Sequence, residues 1–113
     1  RVEVTGARFS PSRVAVGGRV RIAFTVRAAR STGRAPQALV ADLAVHFVKA
    51  RGKTSAKVFK VARVTLAPGE EIALEKAISL AVHTTRKPNP GRHAVDVLLN
   101  GERFPLGAFV VTP

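Results

Sequence analysis

The residues of this chain that could do chemistry are mainly cations, and they are densest between residues 46 and 60. Five lysines and arginines lie in this stretch, and no acidic residue occurs between Asp42 and Glu70. The hydroxyl groups of Thr54 and Ser55 lie among these cations. The solvent-exposed face of a half-buried strand normally carries both positive and negative side chains. A run that carries only positive charges therefore predicts a surface that binds an anion. Cations with neutral donors beside them are the groups that contact phosphate oxygens.

The chain as a whole is strongly basic, because 19 lysines and arginines oppose 7 acidic residues, for a net charge of +12. This charge predicts attraction to polyanions, with nucleic acid as the first candidate and an anionic membrane surface as the second. No run approaches the roughly 20 apolar residues that span a bilayer, so we expect no membrane span. The absence of cysteine excludes disulfides and thiolate metal sites and fits a cytoplasmic protein.

Two features resemble cofactor or metal motifs but lack the partners that such motifs need. Residues 52–54 read Gly-Lys-Thr, like the end of a phosphate-binding P-loop, yet Phe47 stands where the first glycine belongs and no helix is predicted after Thr54. His46, His83 and His93 do not have the spacing of metal ligands. No nucleophile motif and no pair of acids for general acid–base catalysis occurs. We therefore predict no enzyme activity, no metal and no cofactor.

Apolar and polar residues alternate with period two along most of the chain. Residues 20–26 show this clearly, since every second side chain is Val, Ile or Phe. The pair Asn100-Gly101 between two such runs is a strong hairpin signal, because both residues tolerate the positive φ of a tight turn. Proline and glycine mark the other boundaries. The pattern predicts seven strands, at residues 2–9, 19–28, 38–49, 57–66 (with a bend), 71–81, 92–99 and 102–111.

Seven short strands without a helix predict an all-β fold, an antiparallel immunoglobulin-like or fibronectin-III-like β-sandwich. A chain of 113 residues is long enough for one hydrophobic core, so we expect residues 1–113 to be a single domain. The chain begins at Arg1 without a methionine. We therefore expect this domain to belong to a longer protein.

In this topology the strand at 19–28 pairs with the strand at 71–81, and their outer faces carry opposite charges. The residues concerned are Arg19, Arg21 and Arg27 on the first strand and Glu71 and Glu75 on the second. We expect cross-strand pairing to neutralise this face.

His93 is expected on the core face of its strand, where a ring nitrogen needs a buried acceptor. Asp96 is expected at the surface.

The remaining cations are expected to meet at one end of the sandwich, because the loops after the first, third and fifth strands emerge there together. These loops carry Arg13, then Arg51, Lys53 and Lys57, then Arg86, Lys87 and Arg92. We further expect the backbone N–H groups of Gly52 and Ser55 to be free for phosphate oxygens. The alternative is that these cations form a solvated charged rim without a ligand.

Several of the same residues resemble a known family. Residues 46–60, 66–70, 84–86 and 90–93, followed by Asn100-Gly101, are similar to the C-terminal extension of bacterial DNA alkylation repair proteins. The similarity runs from about Leu39 to Val110, and residues 1–38 match only in pattern. In that family a separate domain of helical HEAT-like repeats has the alkylpurine glycosylase activity. The resemblance therefore implies a β-domain beside a helical one, with no catalytic residue here. Where the family often has aromatic residues, this chain has Lys87-Pro88-Asn89.

These observations predict a non-catalytic accessory domain that binds the backbone of nucleic acid, most simply duplex DNA, beside a helical-repeat domain of the same chain. Tyrosine and tryptophan are absent and the phenylalanines lie in predicted strands, so binding should be driven by phosphate and weakly specific. The expected contacts are Lys49, Arg51, Lys53, Thr54, Ser55, Lys57, Lys60, Arg86, Lys87 and Arg92. The alternatives are a protein-interaction module that docks on its parent domain or a partner, and an extracellular immunoglobulin-like domain.

Overall fold

The computed structural model describes residues 2–30, 35–83 and 87–113. The described residues form eight strands. In chain order these are β1 (Val2–Ser10), β2 (Arg13–Ala15), β3 (Arg19–Ala28), β4 (Gln37–Val48), β5 (Thr54–Leu66), β6 (Glu71–Ser79), β7 (Gly91–Leu99) and β8 (Glu102–Thr112). No helix in the described part of the chain is long and apolar enough to cross a membrane.

The strands form two sheets that pack face to face. The smaller sheet has the order β1-β3-β6 and the larger has the order β2-β8-β7-β4-β5. Every second residue of β3, β4 and β7 is buried between the sheets, as the period-two pattern predicts. Phe24, Leu43, Val97 and Phe109 are among the core residues. Each buried side chain of this size contributes about 1.5–3 kcal/mol.

The prediction of an all-β sandwich is confirmed, and most predicted strand bounds agree with the structure to within two residues. The fourth predicted strand is longer than expected and begins at Thr54. Its predicted bend coincides with a bulge, because Ala41 faces Ala62 and Asp42 faces Lys60, which leaves Val61 without a directly opposite residue. The sequence does not predict β2, a three-residue strand parallel to β8.

The Asn100-Gly101 turn joins β7 to β8 as predicted, with φ of 50° at Asn100 and 83° at Gly101. The Asn100 side chain also ties this turn to β4. Its Oδ1 accepts a hydrogen bond from the Val40 N–H at 2.8 Å, and its Nδ2 donates to the Ala38 carbonyl at 3.0 Å. Asparagine therefore serves here both for its tolerance of positive φ and as a link between two hairpins.

The strand register assigns the turns to two ends of a molecule whose long axis is 49 Å. We call one end the basic end. It contains the β4–β5 turn (49–53), residues 11–12, 16–18, 80–83 and 87–90, and the end of β8. The opposite end contains the β5–β6 turn, the Asn100-Gly101 turn and the start of β1, since Val2 pairs with Ala28. The two ends are therefore separated by the length of the strands.

Pairing between β3 and β6 occurs as predicted and accounts for part of the arginine stripe on β3. The Arg21 Nε atom lies 3.3 Å from Glu75 Oε2. Arg27 faces Glu71 across the ladder, and its Nη1 also lies 3.9 Å from Glu3 on β1. Arg19 faces Ser79, so the register does not give it the glutamate partner that the sequence predicts. These exposed pairs contribute little stability but reduce the positive field of this face.

Candidate nucleic-acid interface

The β4–β5 turn presents three of the predicted phosphate contacts together. Lys49, Arg51 and Lys53 are exposed and fall within five consecutive residues. The turn is closed by two backbone bonds, from the Lys49 N–H to the Lys53 carbonyl at 2.6 Å and from the Gly52 N–H to the Lys49 carbonyl at 3.0 Å. Gly52 adopts φ of 80°, which glycine tolerates best. The expectation of a free Gly52 N–H is wrong, because the turn itself uses this donor.

The segment before β7 brings two further predicted contacts to the same end. Lys87 is exposed, and the next residues return to the base of the β4–β5 turn, where the Asn89 Nδ2 atom donates to the Val48 carbonyl at 3.1 Å. Arg92 is exposed near the start of β7. Arg86 lies outside the described residues, so its position stays a prediction.

Arg13 and Arg92 lie on the two sides of Val110, and so extend the basic end across the larger sheet. Arg13 on β2 and Arg92 on β7 both have Val110 of β8 as their ladder partner. All three belong to the outer face of the sheet, since the residues before and after Val110 are buried in the core. Two strand spacings, about 10 Å, therefore separate the backbones of the two arginines. Thr54, at the start of β5, faces Val48 at the same end.

The structure does not bring Lys57 and Lys60 into this group. Lys57 lies on the core-facing side of the edge strand β5, opposite Val45. Its Nζ lies over the Phe59 ring, 5.6 Å from the centroid. Lys60 is six residues beyond Thr54, about 20 Å along the strand. It faces Asp42, which offsets its charge. Ser55 is exposed, but it shares the core-facing side of β5 opposite Phe47.

The cations of the basic end keep their charge unopposed. Among the residues that the structure describes, no carboxylate oxygen lies within ion-pairing distance of Lys49, Arg51, Lys53, Lys87 or Arg92. This contrasts with β3, where glutamates pair with the arginines. The arrangement is suited to several phosphate groups in a row, and the described residues contain no cluster of histidines and carboxylates that could hold a metal ion.

A charged cluster that the sequence does not predict lies on the outer face of the larger sheet. Asp96 Oδ2 accepts hydrogen bonds from His46 Nε2, at 2.9 Å, and from the Arg103 guanidinium. Asp96 lies on the outer face, as expected, but its side chain is only 15% exposed because it is paired with His46 and Arg103. Burial acts to raise the pKa of Asp96, but the hydrogen bonds and charges of His46 and Arg103 outweigh it and hold that pKa below its ordinary value.

His93 is fully buried on the core face of β7, as the sequence predicts. Its Nδ1 donates to the Gly91 carbonyl at 3.2 Å, and its Nε2 therefore accepts the N–H of Val48, 3.5 Å away. The ring meets Phe47 edge-on with centroids 5.5 Å apart, and Phe109 lies 5.2 Å away. Burial lowers the pKa of His93, and the hydrogen bond to Gly91 opposes this only in part. The imidazole is therefore neutral at pH 7 and supports the base of the β4–β5 turn.

Because the pKa of His93 is lower in the folded than in the unfolded chain, we expect stability to fall in acid. The unfolded chain takes up a proton near pH 6.5, whereas the folded chain does so only at lower pH. Stability is thus complete above about pH 6.5 and decreases below it, by at most about 1.4 kcal/mol per pH unit for one group. Urea unfolding between about pH 7.5 and about pH 5 measures this slope.

His93→Gln should remove most of this slope, whereas His83→Gln, at an exposed position, should retain it. Equal slopes for the wild-type chain and His93→Gln would contradict the assignment. If His93→Gln does not fold, NMR titration of the wild-type imidazole gives the same test, since its midpoint should lie below 6.5.

Two solved structures are similar to this chain to different degrees. In solved structures, the chain is similar to the Pseudomonas fluorescens alkylpurine DNA glycosylase AlkC bound to DNA containing an abasic site analog. The TM-score is 0.86 at 38% identity, over 99% of this chain and 30% of that one. A β-glucosidase from Erythrobacter marinus gives a TM-score of 0.72 at 14% identity, over 99% of this chain and 15% of that one. The second similarity concerns the fold alone.

Curated sequences give a consistent result. The "Uncharacterized protein YhaZ" of Bacillus subtilis (strain 168) is 32% identical over 92 residues, which are 81% of this chain and 24% of that protein. The chain thus spans 24% and 30% of the length of these two relatives, as a C-terminal extension of longer proteins that include a DNA glycosylase. The resemblance found in the sequence is confirmed. Residues 3–113 match the model of the YhaZ C-terminal Ig-like domain, and the chain belongs to that family.

Proposed function

We propose that the chain is a non-catalytic accessory domain of a DNA alkylation repair protein and that it binds the DNA backbone through its basic end. The proposal treats residues 1–113 as one domain that works beside an upstream helical-repeat domain. The observation that carries it is the collection of unopposed cations from three separate segments at one end of the sandwich. These cations are Arg13, Lys49, Arg51, Lys53, Lys87 and Arg92.

One further fact supports DNA as the polyanion. The structure of AlkC, 38% identical to this chain, was solved with DNA. Net charge of +12 favours association with any polyanion, but a role beside a repair enzyme favours DNA. Because bacterial DNA is in the cytoplasm, the proposal includes a cytoplasmic location.

The binding should depend little on base sequence. All six phenylalanines are buried or half-buried, and the chain has no tyrosine or tryptophan. Exposed aromatic platforms for stacking on bases are therefore absent from the described residues. Contacts from arginines and lysines to phosphate position a domain on DNA but carry no sequence information directly.

Salt dependence tests the proposal. If about five cations contact phosphate, the logarithm of the association constant for a duplex should fall with the logarithm of salt concentration at a slope of roughly −4 to −5. Fluorescence anisotropy with labelled duplexes of unrelated sequence measures the slope, and the affinities should be similar between sequences. No binding at low salt, or an affinity that does not change with salt, would exclude phosphate contacts as the basis of function.

A second candidate function rests on the centre of the outer face of the larger sheet. Small apolar side chains occupy it, and Val58 and Val40 on neighbouring strands are 52% and 38% exposed. Its cluster of Asp96, His46 and Arg103 is internally neutralised, so this area does not suit phosphate. A protein surface fits it better, which favours docking on the parent domain or a partner. A pull-down of the parent's helical domain, compared between the wild-type chain and Val58→Glu, tests this candidate.

A further inference from the structure

Val48 is the last residue of β4, directly before the basic turn, and side chains from elsewhere hold both of its backbone polar groups. Its N–H donates to His93 Nε2 and its carbonyl accepts from Asn89 Nδ2. Both partners come from the part of the chain that carries Lys87 and Arg92. The base of the turn is thus held by hydrogen bonds from Asn89 and His93 as well as by the pairing of β4 with β5.

Asn89 makes the link between the two segments. Its Nδ2 has two hydrogens and two carbonyl acceptors, those of Val48 and Lys87, each at 3.1 Å. One amide group therefore sets the position of the Lys87 backbone relative to the end of β4. Gly91 adds a close contact, since a Cβ at that position would lie 3.2 Å from Val48 Cγ2.

His93 fixes the same point from inside the core. It is held between the Phe47 and Phe109 rings and by the Gly91 carbonyl, so its Nε2 cannot follow a movement of the turn. A turn that moved away would leave the part-buried Val48 N–H without its acceptor, which lowers stability. Both backbone polar groups of Val48, the N–H and the carbonyl, are therefore held in place.

We propose that Asn89 and His93 are positioning residues that join the β4–β5 turn and residues 87–92 into one rigid phosphate-binding surface. This inference rests on the proposed function. Cations that are already placed lose less conformational entropy when they bind, so the join should raise affinity without adding a contact. Asn89 has no charge and does not need to touch DNA for this role.

The experiment compares two uncharged variants, Asn89→Ala and the similarly sized Asn89→Leu, with Lys87→Gln. Both Asn89 variants should lower duplex affinity about five- to tenfold at an unchanged salt slope, because the bound state keeps its phosphate contacts. Lys87→Gln should lower affinity and make the slope shallower by about 1. A change of slope in Asn89→Ala would instead show loss of a contact and overturn the positioning role.

Backbone ¹⁵N relaxation of the free chain provides a readout that does not need DNA. Order parameters of residues 49–53 should be about 0.85 in the wild-type chain and fall to about 0.6 in Asn89→Ala. Unchanged order parameters would overturn the proposal, as would a loosened turn with unchanged affinity. If the wild-type chain does not bind duplex DNA, the proposed function fails, and the relaxation data alone decide whether Asn89 fixes the turn.

Discussion

Replacement of both Arg51 and Lys53 by glutamate is expected to weaken duplex DNA binding by about 100-fold at moderate salt. Both side chains project from the tip of the β4–β5 turn, where no described carboxylate opposes them. Each substitution removes an attraction to phosphate and adds a repulsion. The salt slope should also become shallower by about 2, since two fewer counterions are released. Fluorescence anisotropy over a series of salt concentrations measures both quantities.

Arg30 and Arg63 provide a matched control, because they are exposed and lie at the opposite end of the sandwich. Their double replacement by glutamate changes the net charge by the same amount but should alter affinity only a few-fold. Thermal unfolding of both double variants should stay close to that of the wild-type chain. An equal loss of affinity in the two variants would mean that net charge, and not the basic end, drives binding.

Phe109→Ala is expected to destabilise the domain by about 3–5 kcal/mol. Phe109 is 1% exposed and belongs to a chain of rings under the basic end, 6.3 Å from Phe9 and 5.2 Å from His93. Truncation leaves a cavity that rigid strands on both sides cannot fill. Since a domain of this kind has about 5–15 kcal/mol of stability, much of the variant should be unfolded at mild urea concentrations. Urea titration followed by circular dichroism measures the loss.

Phe104→Ala serves as the comparison, because Phe104 lies on the same strand but is only half-buried. Its loss should be clearly smaller, since less apolar area and fewer contacts disappear. Similar free energies of unfolding for the two variants would show that the ring cluster has no special part in the stability of this end.

Strand positions are largely predictable from this sequence because alternation over six or more residues records which face is buried. Residues 19–28 illustrate this, as their predicted and observed bounds coincide. β2 gives no such signal, since three residues contain one buried side chain, Val14. Its pairing with β8 depends on where the chain passes from one sheet to the other. That crossing is a tertiary property and leaves no local pattern.

The candidate site is predictable where it depends on one local turn. Lys49, Arg51 and Lys53 follow from a basic run around glycine, and the structure places them together. Lys57 and Lys60 are in the same run, but strand alternation and the length of β5 remove them from the group. The cluster of His46, Asp96 and Arg103 joins three strands, so only the register reveals it.

The position of Val2 has a mechanical consequence. β1 enters the fold at the end opposite the basic end, as the pairing of Val2 with Ala28 requires. A domain fused ahead of Val2 would therefore hold the sandwich as a rod, with its cations near the far tip of a 49 Å axis. Such a rod spans more than one turn of duplex DNA, about 34 Å. A small rotation at the junction would then move the tip by many ångströms, which makes the length of any linker there a determinant of reach.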